Sequence, residues 1–280
     1  MNSITDNNGN HLVYTALGDP TCPPILFVHG LMSHRGVWKR TMQRLQDRYY
    51  CIAMDLLGFG ESDKPAEGDY SIYAQAERVL KFADHFGLKK FYLAGHSMGG
   101  QVALYLTSQL GHKRVERMIT VGGVSSGTLS KQVCNFNMRM LEWGQHAPWL
   151  FRTASSLSRY PWYSHQVFKI WFYNPETIPF ETWKIDRDMA LNPETAMSSY
   201  QAWKAISQTN LREYLPKVTA QTLVIHGLQD GTVPIVNATL INSRVPNAKL
   251  ILIDECGHYP MYEQFGTYIH YLEEFLEKGT

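Results

Sequence analysis

The sequence predicts an α/β fold, a doubly wound and mostly parallel sheet with a helical insertion, and three observations carry that prediction. Short, largely apolar runs such as Ile25-Leu26-Phe27-Val28 and Thr222-Leu223-Val224-Ile225 suit strands covered on both faces, as in a parallel sheet. These runs alternate with segments of helical periodicity, and alternating β and α elements with right-handed crossovers build such a sheet. Between about Ser125 and Arg212 the alternation stops, no clear strand pattern is present, and aromatic residues crowd in. The core is therefore expected over 1–124 and 213–280, with 125–212 a helical cap inserted over the sheet.

In chain order, His11 to Leu17 alternates loosely after Asn7-Asn8-Gly9-Asn10, which predicts a first hairpin. Ile25 to Val28 ends in His29-Gly30-Leu31-Met32. Val37 to Leu45 reads as a helix and Cys51-Ile52-Ala53-Met54 as the next buried strand. The loop Asp55-Leu56-Leu57-Gly58-Phe59-Gly60-Glu61-Ser62 closes that strand and is expected to serve folding rather than catalysis. Ser71 is an N-cap residue for a helix whose stripe is Ala76, Val79, Leu80, Ala83 and Phe86. Phe91 to Ala94 and Met118 to Val121 are further strands. After the insertion come Thr222 to Ile225, a helix near Ile235 to Ser243, and the strand Lys249 to Ile253. A last helix carries Phe265, Tyr268, Ile269, Leu272, Phe275 and Leu276 on one face. Ligands bind such sheets at the carboxyl ends of the strands. His29-Gly30, Ser97, Asp230 and His258 all fall just after predicted strands, so four separate positions point to one rim.

The centre of the pattern is Phe91-Tyr92-Leu93-Ala94-Gly95-His96-Ser97-Met98-Gly99-Gly100. An apolar strand stops at a glycine, and a helical stripe (Val102, Ala103, Leu106, Leu110) begins beyond Ser97. That is strand, sharp turn and helix with a serine at the apex. Gly95 and Gly99 leave room for a tight turn beside a strained serine backbone. The serine hydroxyl then stands at a helix N-terminus, where backbone N–H groups favour developing negative charge.

Composition excludes several other functions. The chain has 280 residues, 44% hydrophobic and 18% charged, which is a globular balance. A formal net charge of +1 provides no field to draw in nucleic acid or an anionic membrane. Cys22, Cys51, Cys134 and Cys256 show no Cys-x-x-Cys spacing, so neither a metal site nor a redox pair is expected. The opening Met1-Asn2-Ser3-Ile4-Thr5-Asp6 is polar, and no run reaches the roughly 18 apolar residues of a membrane span. A cytoplasmic setting without a transmembrane segment is the resulting expectation.

With these residues in view, the chain resembles the α/β-hydrolase family over nearly its whole length, in particular a serine esterase- or lipase-like member with a helical cap. The matching residues are His29-Gly30, Asp55-x-x-Gly58-x-Gly60-x-Ser62, Gly95-His96-Ser97-Met98-Gly99-Gly100, Asp230 with Val233-Pro234, and Gly257-His258. The order Ser, Asp, His is the family's own. The resemblance implies Ser97 as nucleophile, His258 as the base that takes its proton, and Asp230 as the acid that orients the imidazole. It implies an oxyanion hole from the backbone N–H groups of Met98 and Leu31. No metal or organic cofactor is implied. The implied partner is a small-molecule acyl substrate with an apolar portion. Carbon–carbon bond hydrolysis, lactonase or thioesterase chemistry, and a slow-turnover ligand-sensing role remain alternatives with the same triad, and a perhydrolase is a further one, although Leu31 rather than proline follows His29-Gly30.

Other residues take plainer readings. His29 and His96 are expected to be structural, Asp254 and Glu255 to end a strand, and Glu263 to charge the first turn of the last helix. Cys256 lies near His258, but no elbow presents it. The loop Gly122-Gly123-Val124-Ser125 holds no carboxylate, which favours Asp230 as the acid. The rings of the insertion and Met138, Met140, Met189 and Met197 are expected mostly to form the core of the cap, with some lining an apolar pocket.

Overall fold

The computed structural model describes residues 2–111, 113–131, 133–134, 138–157 and 159–279. Eight strands form one sheet: β1 (Asn2–Thr5), β2 (His11–Leu17), β3 (Pro24–Val28), β4 (Tyr50–Met54), β5 (Phe91–His96), β6 (Val115–Val121), β7 (Gln221–Gly227) and β8 (Ala248–Ile253). Their spatial order is β1-β2-β4-β3-β5-β6-β7-β8. The pairings β1–β2 and β2–β4 are antiparallel, and all the others are parallel. The apolar runs fall where a parallel sheet needs them: Ile25, Leu26, Phe27 and Val28 are all buried, as are Leu223, Val224 and Ile225.

The helices are α1 (Lys39–Leu45), α2 (Ile72–His85), α3 (Met98–Tyr105), α4 (Met138–His146), α5 (Pro148–Leu157), α6 (Pro161–Phe168), α7 (Lys184–Ala190), α8 (Ala196–Gln208), α9 (Val236–Arg244), α10 (Pro260–Glu263) and α11 (Phe265–Lys278). Ser71 caps α2 as expected, its hydroxyl accepting from Ala74 N at 3.1 Å. Where the sequence starts a helix at Val37, the chain first makes a 3-10 turn at Arg35–Trp38 and only then α1. The His34 ring accounts for the difference, because it accepts the Gly36 N–H at 3.1 Å and caps the tighter turn.

Between β6 and β7 the described residues hold helices and no strand. This stretch shares its core with the sheet: Phe168, Trp171, Phe172 and Trp183 are buried in one cluster with Phe27, Trp38 and Ile225. Ala202 and Ile206 of α8 join the cluster on the α2–α3 side. The side chains of Met138, Met140, Phe151 and Phe180 lie outside the described residues. No helix among the described residues is long and apolar enough to cross a membrane.

The Asp55–Ser62 loop is the folding element that the sequence suggests. The buried Asp55 carboxylate accepts from Arg35 N at 2.6 Å and Glu61 N at 2.9 Å and pairs with the Arg35 guanidinium. Ser62 donates to Asp55 O at 2.8 Å and accepts from Val13 N at 2.9 Å, tying the loop to β2. Removing the Asp55 carboxylate strands the Arg35 and Glu61 backbone N–H groups and breaks a part-buried pair, although Arg35 keeps Glu61, so Asp55→Ala should lose about 2–4 kcal/mol of stability. Urea unfolding followed by circular dichroism measures this. A loss below about 1 kcal/mol would place the pair with ordinary surface ion pairs.

Candidate active site

The expected site residues stand along the carboxyl edge of the sheet. Leu31 follows β3, Ser97 follows β5, Asp230 follows β7 and His258 follows β8. Ser97 is the single residue between β5 and α3, with φ 54° and ψ −116°. Only a few side-chain-bearing residues tolerate positive φ, and the surroundings must enforce it. Ser97 N donates to Val121 O at 3.0 Å, and Ser97 O accepts from Gly100 N at 3.0 Å and Val124 N at 3.2 Å. A Cβ on Gly95 would overlap the Gly99 carbonyl, and one on Gly99 would overlap the carbonyl oxygens of Val28 and His29. Both flanking glycines are therefore steric requirements of the turn. Among the described residues, the other non-glycine positions at positive φ are Met32, beside Leu31, and Glu255, in the turn leading to His258.

Asp230 and His258 meet directly. His258 Nδ1 lies 2.7 Å from Asp230 Oδ2, and Asp230 Oδ1 accepts from Thr232 N and Val233 N at 2.8 Å each. Burial acts to raise the Asp230 carboxyl, but the adjacent His258 ring, its hydrogen bond and the Val233 N–H outweigh burial and hold the carboxyl below its ordinary value. An ionised Asp230 only accepts, so the Nδ1–H of His258 is the donor in this contact. Asp254 is engaged elsewhere: it is exposed, and its carboxylate accepts from Gln229 Nε2 at 2.8 Å.

His29 and His96 are structural, as expected. His29 donates from Nδ1 to Gly30 O at 2.7 Å and accepts Leu56 N–H on Nε2 at 3.0 Å, while burial lowers its pKa to about 4. His96 Nε2 lies 2.9 Å from the His258 carbonyl, and burial holds it neutral, well below its ordinary value. Burial pushes the Cys256 thiol up, which removes the thiolate that a nucleophile needs.

Ser97, Leu31 and His258 line one cavity, whose wall is otherwise largely apolar, with Val124, Phe168 and Trp171 among its residues. Met98 is the buried first residue of α3, directly after Ser97. Asp230 sits behind His258 rather than in the cavity wall.

Two residues that matter here escaped the sequence reading. Glu263 does not simply charge a helix turn: Oε1 accepts Gly257 N–H at 2.9 Å and Oε2 accepts Tyr173 N–H at 2.6 Å. It clamps the loop that carries His258 to the segment after α6. Trp171 O accepts His258 N–H at 2.7 Å and Ile170 O accepts the Thr232 hydroxyl at 3.3 Å, so one segment holds both loops. Burial pushes Glu263 up to about 7 against the pull of its N–H donors. The second residue, Asp186 of α7, is buried and accepts from Ser33 Oγ at 3.3 Å and from the Tyr262 hydroxyl. It ties α7 to the loop that follows β3 and to α10. The sequence carries no local signal for either, since the decisive partners are distant in the chain.

A family model described as the alpha/beta hydrolase fold matches residues 23–265. The chain belongs to this family. It is 26% identical over 271 residues to Lipase 1 of Psychrobacter immobilis, covering 94% of this chain and 80% of the lipase. It is 27% identical over 265 residues to 2-hydroxymuconate semialdehyde hydrolase of Pseudomonas putida, covering 91% of this chain and 88% of that enzyme. Among solved structures, an esterase from Exiguobacterium antarcticum superposes with a TM-score of 0.81 at 21% identity, covering 99% of each chain. This hydrolase fold is thus shared with enzymes named for ester cleavage and with one named for a muconate semialdehyde.

The Glu263 clamp is open to direct test. Glu263→Ala leaves two backbone N–H groups without their acceptor, one of them part-buried, which should cost about 1–3 kcal/mol. The melting temperature should fall by roughly 3–10 °C. An unchanged melting temperature in a calorimetric scan would show that the clamp bears no load.

Proposed function

We propose that this hydrolase cleaves a carboxylic ester, or a related acyl compound, with an apolar portion through an acyl-enzyme on Ser97. The observation that carries the reading is the 2.7 Å contact between His258 and a buried, ionised Asp230, beside a cavity that His258 shares with Ser97. His258 Nε2 takes the Ser97 proton as Oγ attacks the acyl carbon. The developing oxyanion is received by the N–H groups of Leu31 and Met98. His258 then returns the proton to the departing alcohol, and a water activated in the same way releases the acid. Asp230 keeps the imidazole in the right tautomer and stabilises its cation. The scheme requires neither metal nor organic cofactor.

The cap over 125–212 supplies much of the apolar wall in this reading, through residues such as Leu141, Val167, Phe168 and Leu191. A carbon–carbon bond hydrolase acting on a muconate-type acid is the second reading. A substrate carboxylate calls for a cation, and the described cavity wall contains no Lys or Arg. The wall therefore favours an apolar acyl group over a carboxylate-bearing one. Free thiols at Cys22, Cys51, Cys134 and Cys256 fit a reducing, cytoplasmic setting.

Two measurements test the roles. Ser97→Ala should abolish hydrolysis of a p-nitrophenyl ester while circular dichroism and melting stay near wild type, because losing one hydroxyl opens no core cavity. Near-wild-type activity in this variant would remove Ser97 as nucleophile. Asp230→Asn should lower kcat/KM by about 10² to 10⁴, or roughly 3–5 kcal/mol of transition-state stabilisation. Asp254→Asn should lower it by less than about tenfold. A mild Asp230→Asn beside a crippled Asp254→Asn would move the orienting acid to the end of β8.

A further inference from the structure

The seven tryptophans of the chain divide into two groups. Trp38 and Trp183 are fully buried, Trp171 is 8% exposed and Trp203 is partly buried. Trp143, Trp149 and Trp162 are 63%, 66% and 66% exposed. Tryptophan is highly buried on average, so three in water on three consecutive helices need an explanation. They also stand in register with charge. On α4 the exposed residues Arg139, Glu142, Trp143 and His146 fall at i, i+3, i+4 and i+7, one helix stripe. On α5 the exposed stripe is Trp149, Arg152, Thr153 and Ser156 in the same spacing. On α6 it is Trp162, Gln166 and, one residue past the helix, Lys169. Each helix thus presents one tryptophan and one cation outward. From Met138 to Lys169 the charged residues are Arg139, Arg152, Arg159 and Lys169 against Glu142, a net of +3 in a chain whose total is +1. The charge balance of the whole sequence conceals this asymmetry.

We propose that the outer faces of α4, α5 and α6 form a docking surface for an anionic lipid bilayer. Tryptophan settles at the headgroup level, where its ring is apolar and its N–H remains solvated, and adjacent cations are drawn to anionic headgroups. A second copy of the chain is the weaker occupant, because a two-fold contact would set this net-positive patch against the same patch of its copy. A bilayer neutralises it instead. No helix among the described residues is suited to spanning a membrane, so the contact is with its surface. Two of these helices, α4 and α6, turn Leu141, Val167 and Phe168 inward to line the cavity that holds Ser97. The docked face would therefore hold that cavity close to acyl lipids in the bilayer. Only this last consequence rests on the proposed function; docking itself does not require the reaction.

The test is sedimentation of the full chain with vesicles of phosphatidylcholine containing about 30% phosphatidylglycerol as the anionic lipid. Binding is expected to these vesicles and not to pure phosphatidylcholine, with a blue shift of tryptophan emission on binding. Each cation lost should weaken partitioning about fivefold, so the triple change Arg139→Gln, Arg152→Gln and Lys169→Gln should weaken it by roughly 100-fold. The triple change Trp143→Ser, Trp149→Ser and Trp162→Ser should weaken it by at least about tenfold. Both variants should keep wild-type turnover of a soluble short-chain ester and a wild-type circular dichroism spectrum. Ser97→Ala should bind vesicles like the wild type, which separates failure of docking from failure of the catalytic reading. Wild-type protein that ignores anionic vesicles, or variants that bind as the wild type does, would overturn the proposal. So would a dimer in solution that the tryptophan changes dissolve while vesicle binding stays absent, since the second copy would then be the occupant.

Discussion

Ser97 is held at φ 54°, a conformation that a serine does not choose by itself, and much of the surrounding architecture serves to hold it there. The strand β5 ends against its neighbours β3 and β6, and the parallel register puts Gly95 opposite Val28 and Thr120. Because a Cβ at Gly99 would strike the carbonyls of Val28 and His29, the start of α3 lies directly on the end of β3. The turn is thus made by close approach of three backbone segments, and any side chain at either flanking glycine would force them apart. A hydroxyl on such a turn faces the carboxyl edge of the sheet, beside N–H groups that no helix bond uses.

The second constraint is the attachment of the chain between β6 and β7. Segment 170–173 takes the His258 N–H, the Thr232 hydroxyl and the Glu263 carboxylate, so the loops carrying Asp230 and His258 share one support. Aromatic packing reinforces it: Trp171 and Phe172 lie 5.4 and 5.6 Å from Tyr259, centroid to centroid, and Tyr259 lies 4.6 Å from His96. These contacts join the segment after α6 to the loops of the carboxyl edge. Residues such as Leu141, Val167 and Phe168 line the cavity, while the stretch 138–169 carries a net charge of +3 and three exposed tryptophans.

The strand interiors were legible in the sequence because burial on both faces demands unbroken apolar runs, as at Ile25–Val28. The turn at Ser97 was legible because its steric demand is local, and Gly95 and Gly99 mark it. The placement of Asp230 and His258 at the carboxyl edge was legible because each follows a strand run, and the family resemblance pairs them. The edge strand β1 carries only one buried apolar residue, Ile4, and so leaves little pattern. The 3-10 turn before α1 depends on a ring nitrogen of His34, which no periodicity encodes. Glu263 and Asp186 act on partners 90 and 153 residues away, and a local reading sees only acids near helix starts. The aromatic set of the insertion split in two, Phe168, Trp171, Phe172 and Trp183 inward and Trp143, Trp149 and Trp162 outward. Composition alone treats these rings alike.

The most direct measurement of the central claim is covalent labelling of the folded protein with a fluorophosphonate, followed by mass mapping of the adduct. Such a reagent phosphonylates a serine only where a base takes its proton and donors receive the oxyanion. A single adduct on the peptide carrying Ser97, absent after denaturation, is the predicted result. No adduct on the folded protein, or an adduct on another serine, would contradict the assignment of the carboxyl-edge cavity as the active site.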